Sequence, residues 1–174
     1  MKQATILFLL FVMAIQADAK KKRKYISSYA TIKATVTETR NFCGGMLPSP
    51  EILKEFSTPR PLANKTIHIK LGSVNSNELP IYKTVQSDEN GHFTFSIKKG
   101  QTIMFLEDWK GYPFVAPENT ETITWSISCL KNRYATPDLL YRVTYTSVQK
   151  VEINFMQPCP HQPLCGRYHG YMPE

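Results

Sequence analysis

The stretch Gln86-Ser87-Asp88-Glu89-Asn90-Gly91-His92-Phe93-Thr94-Phe95 predicts two strands joined by a tight polar turn. Asp88 and Asn90 carry short polar side chains that bond to nearby backbone, and Gly91 adopts a positive φ at no steric cost. Beyond the turn, apolar and polar residues alternate up to residue 98, which places large apolar side chains on one face. A helix would not suit this period of two between Gly91 and Gly100, so the stretch indicates an antiparallel meander.

Other segments have the same strand-like character, and with residues 93–98 they make about seven strands. They are residues 29–39, 66–71, 81–86, 102–106, 139–146 and 150–156. The segment 102–106 is apolar at consecutive positions, which predicts that both of its faces are covered. Residues 147–149 fit a hairpin connection between the last two strands. The predicted fold class is all-β, an antiparallel seven-stranded β-sandwich over residues 29–156.

Two regions interrupt this pattern. Residues 41–63 form an insertion with a short helix, for which Ser49 is a plausible N-cap, Pro50 suits the first position and Glu51 favours the helix dipole. Residues 107–138 are harder to assign, because 121–127 alternate like a strand while the following residues could continue a helical turn. The tail, residues 157–174, is rich in proline and cysteine and has no periodicity.

Residues 1–19 have the pattern of a removable export signal. Lys2 gives a charged beginning, residues 6–15 are apolar, and Ala17-Asp18-Ala19 fits an A-x-A cleavage site. The apolar run is too short to span a bilayer core, which needs about 20 residues. We therefore favour a signal peptide over a membrane anchor and predict a secreted or periplasmic protein.

A basic run, Lys20-Lys21-Lys22-Arg23-Lys24, directly follows the predicted cleavage site. It accounts for most of the net charge of +7, so the folded part is only weakly basic. A nucleic-acid-binding protein needs basic surface spread over the fold, and we predict no nucleic-acid partner. We expect residues 20–28 to be a solvated leader. The alternatives are contact with anionic lipid or polyanionic glycan, and a flank that anchors the preceding segment.

The chain has four cysteines, Cys43, Cys129, Cys159 and Cys165. An even number in an exported chain favours disulfides, and four cysteines allow three connectivities. Pro160 and Pro163 pre-bend the short loop between the last two cysteines. We therefore expect Cys159 to pair with Cys165 and Cys43 with Cys129, each unstrained bridge adding about 2–4 kcal/mol to stability.

Residues 61–69, residues 87–95 and the following Lys99-Gly100 resemble the carboxypeptidase regulatory-like domain, a prealbumin-like (transthyretin-like) sandwich. The sequence pattern of that family is a strand, then the motif T-D-x-x-G-x-F-x-F, then a glycine before the next strand. Here Ser87 replaces the usual threonine, and Gln101-Thr102-Ile103 replaces the common Gly-x-Tyr. The resemblance implies a prealbumin-like fold and a role in folding, docking, or contact with carbohydrate or protein.

The flanks resemble a narrower group of exported Bacteroidota proteins that contain this domain. Those proteins carry Cys-Gly-Gly after the first strand, matched by Cys43-Gly44-Gly45. They also carry a Pro-Cys…Cys tail that ends in a Gly-aromatic/Met-Pro segment, matched by Pro158-Cys159, Cys165 and Gly170-Tyr171-Met172-Pro173. This second resemblance implies export but no particular activity.

The tail brings together two thiols and two imidazoles, on Cys159, His161, Cys165 and His169. Zinc or copper(I) accepts such ligands, but the spacing matches no familiar zinc finger and an exported chain oxidises its thiols. We therefore prefer a disulfide-braced tail without a cofactor, with a small metal-handling protein as the alternative. His68, on the polar face of its strand, and His92, after the turn glycine, are predicted to be solvated surface residues.

Catalytic signatures are missing from the sequence, so we predict that the protein is not an enzyme. The four histidines show no base–nucleophile spacing, and His-Glu-x-x-His does not occur. Asp88-x-Asn90-Gly91 lacks the third oxygen ligand and the distal glutamate of a calcium loop. Among related sandwiches, hydroxyisourate hydrolases end in Tyr-Arg-Gly-Ser, and intradiol dioxygenases need His-x-His; this chain has neither.

Four aromatic residues cluster in the poorly periodic region 107–127, namely Trp109, Tyr112, Phe114 and Trp125. Aromatic side chains on loops stack on sugar rings or anchor protein partners. The alternative is that they cap the end of the sandwich core. The sequence therefore predicts a non-catalytic exported binding or structural module of the cell envelope, with an envelope protein or a glycan as partner.

Overall fold

The computed structural model describes residues 28–44, 47–145, 147–159 and 163–170. Within them the chain forms ten strands and three helices. The strands are β1 (Tyr29–Arg40), β2 (Arg60–Pro61), β3 (Thr66–Leu71), β4 (Ile81–Gln86), β5 (His92–Lys98), β6 (Thr102–Glu107), β7 (Ile123–Trp125), β8 (Leu139–Arg142), β9 (Val148–Gln157) and β10 (Gly166–Tyr168). The helices are α1 (Pro50–Ser57), α2 (Asp108–Gly111) and α3 (Ile127–Ala135).

The predicted signal peptide and the basic run at residues 20–24 lie outside the described residues. None of the helices in the described ranges is long and apolar enough to cross a membrane.

Two large sheets form the β-sandwich that the sequence predicts. In the first sheet β1 is central, with β9 along one edge and β5 and β2 along the other. The second sheet has the order β4-β3-β6-β8, and β7 pairs with β10 in a small third sheet. The pairs are antiparallel except for β1 and β9, which run parallel with Arg40 opposite Gln157.

The core lies between the two large sheets, and alternation along each strand supplies it. The inward side chains of β1 are small or branched, whereas β5 contributes Phe93, Phe95 and Ile97, as predicted. The ring of Phe105 from the opposite sheet lies 6.2 Å from both phenylalanine rings. Burial of these apolar side chains supplies the main favourable contribution to folding.

The turn before β5 has the geometry that its sequence predicts. The Asp88 carboxylate accepts hydrogen bonds from the backbone N–H groups of Asn90 at 2.9 Å and His92 at 2.7 Å. The bond from the His92 N–H is the main reason why the pKa of Asp88 lies below its ordinary value. Gly91 has a φ of 74°, and its carbonyl accepts a 2.7 Å bond from the N–H of Val36. The turn is thereby tied to β1.

The short helix in the insertion also forms as predicted. The Ser49 hydroxyl caps α1 by accepting a bond from the Ile52 N–H, and Pro50 occupies the first turn. Hydrogen bonds to the Glu51 carboxylate, mainly from its own backbone N–H and then from the Ser49 side chain, lower the pKa of Glu51. None of the residues of α1 is buried, so the helix lies on the outside of the sandwich.

The predicted hairpin at residues 147–149 is wrong. β8 pairs with β6 in the second sheet, whereas β9 pairs with β1 in the first, so the connection crosses between the sheets. Alternating side chains show that each segment is a half-buried strand but carry no information about its partner. A short polar connection suits a hairpin and a crossover equally well.

The predicted pairing of the cysteines is wrong for a related reason. Cys43 pairs with Cys159, with a Cα–Cα distance of 5.5 Å, and Cys129 pairs with Cys165 at 5.4 Å. Because β1 and β9 are parallel, their last residues leave the sheet side by side, and Cys43 and Cys159 follow within three residues of those ends. The second bridge joins α3 to the tail.

The helices α2 and α3, in the segment 108–138, form a third layer over the outer face of the second sheet. Consequently β3 and β6 are buried on both faces, as the sequence predicts for β6. The prediction that His68 lies on the surface is wrong, because this layer leaves it only 2% exposed. Its ring nitrogens bond to Thr84 Oγ1 and Asp108 Oδ1, both at 2.9 Å. His92 is exposed, as predicted.

Substitution of Gly91 by alanine should destabilise the protein more than the same change at Gly100. Both glycines have positive φ, which costs an alanine about 1–2 kcal/mol. A Cβ at Gly91 would also overlap the carbonyl oxygen of Val36, adding about 1–3 kcal/mol, whereas a Cβ at Gly100 meets nothing within 4 Å. Urea unfolding of both variants checks this difference, and equal free energies of unfolding would contradict the close packing at the turn.

Peptic mapping under non-reducing conditions, with cleavage at Leu164 between Cys159 and Cys165, should recover a Cys43–Cys159 peptide and a Cys129–Cys165 peptide. These pairs follow from the parallel β1–β9 register and from the position of α3 beside the tail. A reduced digest is the control and should release all four peptides separately. A Cys159–Cys165 peptide, or four cysteines open to alkylation in unreduced protein, would contradict the structure.

Candidate functional site

A cavity of about 520 Å³ opens at one end of the sandwich. Its walls come from the end of β1, the loop before β3, the ends of β6 and β9, the segment 109–133 and the tail. The apolar part of the lining is Leu62, Trp109, Phe114, Val115, Pro117, Trp125, Leu130, Phe155, Met156, Pro158 and Leu164. The polar part is Glu38, Lys65, Glu107, Arg133 and Gln157. This volume and composition are typical of small-ligand sites.

Three of the four aromatic residues singled out in the sequence line this cavity: Trp109, Phe114 and Trp125. The chain has two tryptophans, so both of them belong to the same site. Tyr112 does not line it. The ring of Tyr112 instead packs edge-on against His68, with 5.2 Å between ring centres.

A buried tyrosine supports two of these rings from below. The ring of Tyr134 lies 6.3 Å from Trp109 and 5.5 Å from Phe114. Its one hydroxyl proton is shared between two acceptors, Asn77 Oδ1 at 2.8 Å and the backbone oxygen of Tyr112 at 3.0 Å. Burial raises the pKa of the phenol. Trp109 and Phe114 therefore pack against a Tyr134 ring whose position is fixed by hydrogen bonds.

The orientation of Trp109 is fixed further by polar contacts. Its indole N–H donates to Glu107 Oε2 at 3.1 Å, and Lys110 Nζ lies 5.6 Å from the ring centre. Lys110 is buried and forms a 2.6 Å ion pair with Asp138. Trp109 is still 38% exposed, so a preorganised aromatic face remains available to a ligand.

The third layer is joined to its sheet by a buried polar cluster beneath these rings. Lys70 Nζ donates to Asn75 Oδ1 at 2.9 Å, and burial lowers the pKa of Lys70. The Asn75 amide donates to the backbone oxygens of Lys110 and Tyr134, at 2.9 and 3.0 Å. The backbone N–H of Asn75 donates to the carbonyl of Ala135. Asn75 thus connects β3, the end of α2 and the end of α3.

Most charged groups of the cavity are paired within the protein. Lys65 Nζ forms a 2.6 Å ion pair with Glu107 and lies 5.1 Å from the centre of the Phe155 ring. Glu38 pairs with Arg40 at 3.1 Å. Arg133 is half-buried in the wall and forms no ion pair or side-chain hydrogen bond with any described residue.

His68 contacts Thr84 and Asp108. Together these residues have the three groups of a catalytic triad, namely a hydroxyl, an imidazole and a carboxylate. Both ring nitrogens are occupied, and His68 and Thr84 are directly opposite each other on neighbouring strands. None of the three residues lines the cavity. The arrangement fastens the start of α2 to the second sheet.

The tail residues considered as metal ligands have other partners. Cys159 and Cys165 are both in disulfides, so neither offers a thiolate. His169 Nε2 lies 3.2 Å from Thr124 Oγ1, and His161 lies outside the described residues. Within the part of the chain that the structure describes, no group of three or more His, Cys, Asp or Glu side chains could hold a metal ion.

Sequence reasoning missed Arg133, Lys70 and Asn75. One signal for Lys70 was present, since the consecutive apolar residues of β6 predict a covered outer face, and β3 is the neighbour of β6. Arg133 and Asn75 gave no such signal. Arg133 lies in residues 107–138, which have no clear periodicity. The sequence around Asn75 is that of an ordinary polar loop.

No family model matches the chain, and the curated proteins gave no match either. Among solved structures, the chain is similar to the minor pilin GBS52 of Streptococcus agalactiae, with 13% identity and a TM-score of 0.41, over 79% of this chain and 49% of that one. It is also similar to a mutant of the shaft pilin spaA from Lactobacillus rhamnosus GG, with 9% identity and a TM-score of 0.43, over 76% and 52%. The chain spans about half the length of each pilin.

Proposed function

We propose that this protein is an exported, non-catalytic binding module that holds a component of the cell envelope in its aromatic cavity. The observation behind the proposal is that both tryptophans and Phe114 line one cavity, and that Trp109 and Phe114 pack against the hydrogen-bonded Tyr134 ring. Exposed aromatic faces that are already oriented bind a ligand with little loss of conformational entropy. The two disulfides fit a protein that works outside the cytoplasm.

The alternative of metal handling is less well supported. It required two thiolates, and in the structure Cys159 and Cys165 are each bonded to another cysteine. Reduction would free these thiols only at the expense of two cross-links that hold the tail. A role in binding needs no such change, because the cavity is formed by the oxidised protein.

Substitution of Trp109 by alanine should weaken binding to envelope material by about tenfold or more, the size expected for an interfacial anchor. Immobilised full-length protein would be exposed to solubilised envelope glycans and proteins, and retention compared by quantitative mass spectrometry. Tyr82→Ala is the matched control, because Tyr82 is 44% exposed but does not line the cavity.

The proposal requires that the same components lose retention on Trp109→Ala and on Trp125→Ala and keep it on Tyr82→Ala. Circular dichroism would establish that each variant is folded. A profile that is unchanged by both tryptophan substitutions would show that the cavity is not the binding site.

A further inference from the structure

Arg133 differs from the other charged residues of the cavity because it lacks a counter-ion among the described residues. The other lining charges are in pairs, Lys65 with Glu107 and Glu38 with Arg40. No buried nitrogen or oxygen atom of a described side chain lacks a hydrogen-bond partner. Since Arg133 has no such partner, its nitrogen atoms must keep accessible surface.

A guanidinium in a largely apolar wall favours an anionic partner. A ligand carboxylate can accept charge-assisted hydrogen bonds from the accessible nitrogen atoms of Arg133. The planar guanidinium can donate two parallel bonds to one carboxylate, which fixes the orientation of the ligand as well. The unpaired positive charge therefore specifies one anionic group.

The rest of the lining favours a carbohydrate as the carrier of that group. Aromatic faces such as Trp109 and Trp125 pack against the C–H faces of a sugar ring, leaving its hydroxyl groups at the edge. Glu38 and Gln157 offer oxygen acceptors for hydroxyl donors. An aliphatic acidic peptide could also place a carboxylate on Arg133, but it offers no ring face to pack against Trp109 and Trp125.

We infer that the cavity binds an acidic glycan, with the carboxylate of a uronic acid on Arg133 and the sugar ring against the tryptophans. This inference rests on the proposed function and adds the chemical class of the ligand. It also assigns Arg133 as the residue that selects acidic over neutral sugars.

The test uses the full chain with its disulfides intact. The probes are trisaccharides of galacturonic, glucuronic and mannuronic acid, each compared with its methyl ester, which keeps the rings and removes the charge. Binding is followed by tryptophan fluorescence, since both tryptophans line the cavity, and by calorimetry. We expect at least one acid to bind roughly tenfold or more tightly than its ester.

Arg133→Gln should abolish this preference, so that acid and ester bind alike. Arg133→Lys keeps the charge but loses the planar fork, and should retain part of the preference. Lys131→Gln is the matched control, because Lys131 is exposed on the same helix but does not line the cavity, and it should bind like the unmodified protein.

Four results would overturn the inference: no acid binds, an acidic peptide binds in preference to every uronic acid, Arg133→Gln keeps the preference for the acid, or a neutral glycan binds at least as tightly as every uronic acid. In the last case, loss of the neutral glycan with Trp109→Ala would leave the cavity as the binding site. Acid binding that survives both tryptophan substitutions would instead contradict the proposed function.

Discussion

One buried side-chain amide, that of Asn75, holds the outer layer of this protein on its sheet. It accepts a hydrogen bond from Lys70 and donates to the carbonyls of Lys110 and Tyr134. Those two carbonyls lie at helix ends, where backbone acceptors lack intrahelical partners. All the groups involved are buried, so leaving any of them unpaired would cost about 1–3 kcal/mol. The third layer depends on this cluster.

The same amide determines where the binding residues lie. Lys110 follows Trp109 in the chain, and Tyr134 follows Arg133, so each bond from Asn75 fixes the backbone next to a residue of the cavity. Lys110 is fixed again through Asp138, and the Tyr134 ring supports Trp109 directly. A rigid base beneath exposed aromatic and cationic groups is the physical condition for preorganised recognition.

Features that depend on near neighbours in the chain were predictable, and features that depend on pairing were not. The turn at Asp88, the Ser49 cap and the seven main strands follow from local hydrogen bonding and from side-chain period. The parallel register of β1 with β9 is not encoded by the period of either strand, and the disulfide pairing followed that register. Similarly, the sequence grouped Trp109 with Trp125, but Arg133 joins them only through the packing of α3.

Photo-crosslinking in the cell that makes the protein would capture the component that occupies the cavity. Val115, 82% exposed at the cavity, would be replaced by p-benzoylphenylalanine, with the same replacement at Val148, 56% exposed and outside the cavity, as the reference. If the cavity is the binding site, envelope material forms adducts at position 115 that are lost with Trp109→Ala, and few adducts form at position 148. Equal yields from the two positions, or adducts indifferent to Trp109, would contradict binding in the cavity.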